Sequence, residues 1–91
     1  MNDFEKLETA LLIYREALRK AGLPHLASQM AVGPIQTPDD FLAAHRRVAI
    51  IHTLLTIRPP PAWIYARFWK EQHHVDELVA RLEKRMRTQS A

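Results

Sequence analysis

The chain has no cysteine, only two glycines and only two serines, Ser28 and Ser90, among its 91 residues. Each shortage closes a route. Without thiols there is no disulfide framework and no thiolate nucleophile or metal ligand, which points to a reducing compartment and an expected cytoplasmic location. Two glycines eleven residues apart cannot build a glycine-rich phosphate loop. Neither serine sits in a strained turn or near an acid and a base at a recognisable spacing, so nucleophilic catalysis is not expected and the chain is read as a non-enzyme. A long hydrophobic run is missing as well. The longest, Val48 to Ile57, is interrupted by His52, Thr53 and Thr56 and bounded by Arg47 and Arg58, well short of the roughly 20 residues that span a bilayer. The start, Met1-Asn2-Asp3-Phe4-Glu5, lacks the basic and then apolar pattern of a secretory signal. No membrane partner and no cofactor are expected.

What is present is the material of one small globular domain. A composition of 47% hydrophobic and 25% charged residues matches folded proteins and excludes disordered and fibrous classes. A chain this short supports one core, so residues 1–91 are read as a single domain. The net charge of +3 and pI near 9.7 invite a nucleic-acid reading, but the charges follow helix chemistry. Acids gather in first turns (Asp3, Glu5, Glu8; Asp39, Asp40) and bases in last turns (Arg19, Lys20; Arg58; Lys84, Arg85, Arg87), as the helix macrodipole favours.

Hydrophobic spacing predicts an all-α fold, a small bundle of three main helices. Phe4, Leu7, Leu11, Tyr14, Leu18 and Ala21 recur every three or four residues and mark a helix over about 3–21, widened by Ala10, Leu12, Ile13 and Ala17. Asn2 or Asp3 can cap it, and Gly22-Leu23-Pro24 stops it. Three prolines between 24 and 38 leave room for at most a short helix at 24–30 and a loop. Thr37-Pro38-Asp39-Asp40 then reads as a capped helix start. The second main helix, about 38–57, carries Phe41, Leu42, Ala44, Val48, Ile51 and Leu55, with Ala49, Ile50, Leu54 and Ile57 on other faces. Because its second half is apolar almost all round, it is predicted to be central. Pro59-Pro60-Pro61 forms a stiff hinge, and a third helix follows over about 61–87 through Trp63, Ile64, Phe68, Val75, Leu78, Val79, Leu82 and Met86. Its stripe thins at Lys70 to His74, so the helix is expected either to bend there or to leave that stretch in solvent. Thr88 to Ala91 are expected to fray.

Histidine is the one candidate for metal or proton chemistry. His45 and His52, seven apart on one helix, stand roughly 10 Å from each other, and the neighbouring His73 and His74 diverge by about 100°, so no metal site is expected. His52 is read as satisfied in or beside the core and the other histidines as solvated. Leu26-Ala27-Ser28-Gln29-Met30-Ala31-Val32-Gly33-Pro34 resembles the first helix and turn of a repressor-type helix-turn-helix reader. The likeness implies a nucleic-acid-binding regulator using the segment around 24–47, with Arg46 and Arg47 on phosphate. It breaks down beyond those residues, where Pro38, Asp39 and Asp40 occupy the start of the would-be recognition helix.

The most suggestive feature is aromatic. Trp63, Tyr65, Phe68 and Trp69 follow the proline hinge closely, and on one helix they cannot all face one direction. Trp63, Tyr65 and Trp69 beside Arg67 and Lys70 have the composition of a protein interface. The stripe of the first helix, together with Leu78, Leu82 and Met86, looks too long for one small bundle to bury, which favours a two-fold homodimer. The expected function is that of a non-enzymatic adaptor, inhibitor or regulator that binds another protein, with nucleic-acid binding as the alternative.

Overall fold

The computed structural model describes residues 2–30 and 32–90 and contains helices and no strand among them. The helices are α1 (Asp3–Lys20), α2 (Pro24–Ser28), α3 (Pro38–Ile57), α4 (Ala62–Tyr65) and α5 (Trp69–Ser90). The first two long helices match those that the spacing predicts, and the third predicted helix, about 61–87, corresponds to α4, a turn and α5.

Local chemistry sets their ends. The Asn2 side chain accepts a hydrogen bond from the Glu5 amide at 2.8 Å and starts α1. At the other end Gly22 has φ +86°, while the Gly22 amide donates to the Arg19 carbonyl and the Leu23 amide to that of Leu18, the two bonds of a Schellman stop. A capping box opens α3: the Asp40 amide donates to Thr37 Oγ1 at 3.2 Å, and the Asp40 carboxylate accepts from the amides of Gln36 and Thr37 at 3.0 and 3.1 Å.

Cross-links between helices give the topology. Asp3 pairs with Arg85 at 2.6 Å and the Tyr14 hydroxyl donates to Gln72 Oε1 at 3.4 Å, so α1 and α5 run antiparallel. His45 reaches Glu83 and His52 reaches Asp76, so α3 also opposes α5. α1 and α3 are therefore parallel, with Phe4 stacked near Phe41 at 6.3 Å between ring centres. Such a pair needs a return connection. Buried Leu26, Ala27, Met30 and Ile35 press it onto the core, and the Ile35 amide donates to the Glu8 carboxylate, tying it back to α1.

The core gathers Leu7, Leu11, Tyr14 and Leu18 from α1, Phe41, Val48, Ile51 and Leu55 from α3, and Phe68 with Val75, Leu78, Val79 and Leu82 from the last helical stretch. The closest backbone packing joins α1 to α5 and α1 to α2. The hub is thus α1. The expectation that the second main helix would be central is overturned, since α3 lies at the side with Leu42, Ile50, Leu54 and Ile57 exposed. Apolar residues all round a helix mark either full burial or a second, unoccupied contact face, and here the second case holds.

The third predicted helix is divided. α4 is one turn, followed by a turn over 66–68 in which the Arg67 and Phe68 amides donate to carbonyls three residues back, those of Ile64 and Tyr65. This tighter winding lets Phe68 enter the core completely while Trp63 stays outside. The polar stretch behind it lies on the surface, with Lys70, His73 and His74 exposed. Helix α5 continues through Thr88 to Ser90, where fraying was expected; Ala91 lies outside the described residues.

Candidate functional site

The structure divides the five residues that the sequence marks for partner binding between two sides of the molecule. Trp63 is 63% exposed and the Arg67 guanidinium lies over its ring at 5.5 Å. Arg67 also borders a groove with Ile13, Ala17 and Glu71, and Lys70 borders a neighbouring one with Ala10, Ile13 and Glu71. Trp63, Arg67 and Lys70 therefore belong to the α1 side, around an exposed Ile13. Tyr65 belongs to the other side. Half buried and edge-on to Phe68 at 5.2 Å, it lines a groove at the end of α3 with His52, Leu55, Pro59, Pro60 and Gln72. Trp69 is 39% exposed, with His73 edge-on at 5.5 Å and the Lys70 ammonium 6.0 Å from its ring. A cation held over an indole face remains hydrated at its edge and contributes about 0.5–1 kcal/mol at such exposed positions.

The stripes that favour a homodimer are mostly covered within one copy, with Phe4, Ala17 and Met86 partly buried and Leu12 and Ile13 exposed. Leu7, Leu11, Leu18, Leu78 and Leu82 are all buried together with Tyr14. Spacing along a helix records that a stripe must be covered; whether the same chain covers it depends on the return of α5 along α1.

The exposed apolar surface instead gathers in the middle of the chain. Leu42, Ile50, Leu54, Ile57, Trp63 and Trp69 are exposed there, accompanied by Leu12 and Ile13 on α1. Residues 41–70 contain Arg46, Arg47, Arg58, Arg67 and Lys70 and no Asp or Glu; all ten acids of the chain lie elsewhere. No ion pair is formed by any of these five cations among the described residues. Sequence reasoning missed this segment because it followed charge turn by turn along helices. A count of acids over 41–70 would have found it.

Arg46 and Arg47 are exposed in the third turn of α3, beside exposed Ala43 and Ile50. The helix-turn-helix likeness does not extend to the geometry. α2 has five residues, and the connection over 29–37 contains no helix among its described residues, where a reader of that class has a turn of three or four.

Two histidine–carboxylate contacts join α3 to α5. His52 Nε2 lies 3.2 Å from Asp76 Oδ1 but is buried without an aligned hydrogen bond, and His45 Nε2 lies 3.8 Å from Glu83. The reading of His52 as satisfied beside the core therefore holds for its position and not for its hydrogen bonding. Burial holds the Asp76 carboxyl above the ordinary carboxylate range, while His52 and His73 pull it down. Burial, reinforced by Asp76 and Tyr65, pushes the Tyr14 phenol well above its usual value, so it remains a neutral donor to Gln72. Near His52 the Thr56 hydroxyl donates to the His52 carbonyl at 2.9 Å. Ser28 likewise donates to the His25 carbonyl. The described residues contain no group of three or more His, Asp or Glu that could hold a metal ion, and no helix among them is long and apolar enough to cross a membrane. No family model matches the chain, and no curated protein or solved structure shows significant similarity to it.

Proposed function

We propose that the protein is a helical binding module for another protein, an adaptor, inhibitor or regulator without chemistry of its own. The observation that carries this reading is Trp63. Among the described residues nineteen apolar ones are buried, yet Trp63, one of the two tryptophans, is 63% exposed beneath an arginine. Exposed tryptophan with arginine is the pairing that most often dominates binding energy at protein interfaces. The neighbouring Trp69 and Lys70 extend the same chemistry, and Tyr65 adds a phenol on the opposite side.

The reading does not depend on a homodimer, because most of the helical stripe that favours one is covered inside a single copy. Nucleic-acid binding through Arg46 and Arg47 has weaker support. The two arginines sit among Ala43, Ile50 and Leu54, whose aliphatic side chains neither stack on bases nor bond to phosphate.

The test is site-specific photo-crosslinking in cells that make the protein, with a benzophenone side chain at 63 or 69 and a control at Lys84. A discrete protein adduct at 63 that persists after nuclease treatment is the expected result. Adducts equal to the control, or adducts to nucleic acid alone, would refute the reading.

A further inference from the structure

We infer that the outward face of α3 is a second docking surface, and that its occupant is an amphipathic helix of another protein with acidic residues flanking its apolar stripe. The inference rests on the protein-binding reading above and names a different surface and the partner's chemistry.

Ile50, Leu54 and Ile57 follow one another at intervals of four and three, on a different face from the buried Val48, Ile51 and Leu55, and are 43%, 37% and 70% exposed. This spacing places them on one ridge running about 10 Å along the helix. Ridges of this kind pack into the groove between the side chains of a second helix, whose axis then lies about 8–10 Å away. Among the described residues nothing buries this ridge.

The charges at its ends select the occupant. Arg46 and Arg47 stand one turn before Ile50, and Arg58 follows Ile57 at once. None of them has an ion-pair partner among the described residues. The nearest acids in sequence are Asp40 and Glu71, and the Asp40 carboxylate is already engaged at the N-terminus of α3. A second copy of the chain would set arginines against arginines. A helix with Asp or Glu at both ends of a three-residue apolar stripe would meet cations at each end and aliphatic side chains between them. The alternatives fit less well. Two helical turns of aliphatic surface are short for insertion into a bilayer, which rewards a broad apolar face backed by a polar one. For nucleic acid, the three aliphatic residues would separate the arginines from a continuous phosphate track.

The experiment is selection from a displayed library of helical peptides on the intact protein, followed by affinity measurement of the enriched peptides against three variants. These are Leu54→Glu, Ile57→Glu and the pair Arg46→Glu/Arg47→Glu, each checked for helicity and thermal unfolding. Ile57 is the safeguard should Leu54→Glu disturb the fold. The expected result is enrichment of peptides with apolar residues at i, i+3 or i+4, and i+7 between acids, losing about tenfold or more in affinity on either Glu variant, as truncated interface anchors do. The arginine pair is expected to weaken binding less and to reduce its salt dependence. Peptides that bind all variants equally, or that lack acids, would overturn the inference, as would a selection that enriches nothing. A fourth protein, Trp63→Ala, separates the two readings: if the enriched peptides bind the three variants equally and lose affinity only for it, the protein-binding reading survives and this face falls alone. Binding of phosphatidylserine-containing vesicles or duplex DNA that is abolished by Leu54→Glu would also overturn it, in favour of those ligands.

Discussion

α1 and α3 have eighteen and twenty residues, each starts on a side-chain cap, and each buries one apolar stripe. Beyond that they diverge. Outside its stripe and the two exposed residues Leu12 and Ile13, α1 carries charge: Arg15, Glu16, Arg19 and Lys20 among others, with Glu16 paired to Arg19. It is also the helix that its neighbours approach most closely. α3 buries Phe41, Val48, Ile51 and Leu55 against the same core and then presents a second aliphatic row to solvent. One row suffices for folding. The other lowers solubility without adding to the core, which is why it is read as a place for a partner.

The sharpest break of this comparison uses one residue type on one helix. Ile51 is completely buried and Ile57 is 70% exposed. Ile51→Ala should lower unfolding stability by about 2–5 kcal/mol through lost burial and a residual cavity, and Ile57→Ala should stay within about 0.5 kcal/mol, both measured by urea titration. Comparable losses at the two sites would mean that Ile57 has a packing role and that the two rows are not distinct.

Next in size is the cap of α3. Removing the Thr37 hydroxyl with Thr37→Ala should cost about 1 kcal/mol and raise amide exchange in the first turn of α3. Because α3 lies less closely against its neighbours than α1, the increase should spread further than that caused by Asn2→Ala in α1. Equal local effects would show that the two helices are held equally firmly.

Asp76, which faces His52 across α3 and α5, makes a smaller, pH-dependent contribution. Burial holds its carboxyl above the usual range, so its contribution is complete below the unfolded value, about pH 3.9, and is lost as pH rises through the folded one. With both sides of the contact more than a third exposed, the effect should remain below about 1 kcal/mol. Measured by thermal unfolding against Asp76→Asn, the native chain should lose stability relative to the variant as pH rises from about 4 to about 7. A difference that stays constant over that range would remove Asp76 from any account of how α3 is held.

Tyr14→Phe should have the least effect. The ring packing against Phe68 remains, and only the hydroxyl contact to half-buried Gln72 is lost, for about 1 kcal/mol or less.

Much of this was legible in the residues themselves. Helical period placed the buried stripes of α1 and α3 correctly except at Leu42, which is exposed, and Gly22, Pro24 and Pro38 marked ends because glycine tolerates positive φ and proline lacks an amide donor. The presence of an aromatic cluster after the hinge was likewise plain. Which of its rings would be inside was not, since a turn at 66–68 had to separate Phe68 from Trp63. The sequence by itself determined the all-helical class, the ends of α1 and α3 and most of the faces that must avoid water. Only the tertiary structure decided that α5 would cover the long stripe of α1, that α3 would lie at the side with a row to spare, and that histidines on α3 would meet carboxylates on α5. Local signals act within a few residues along the chain, whereas these outcomes depend on which distant surfaces meet when the return connection brings α3 back beside the start of α1.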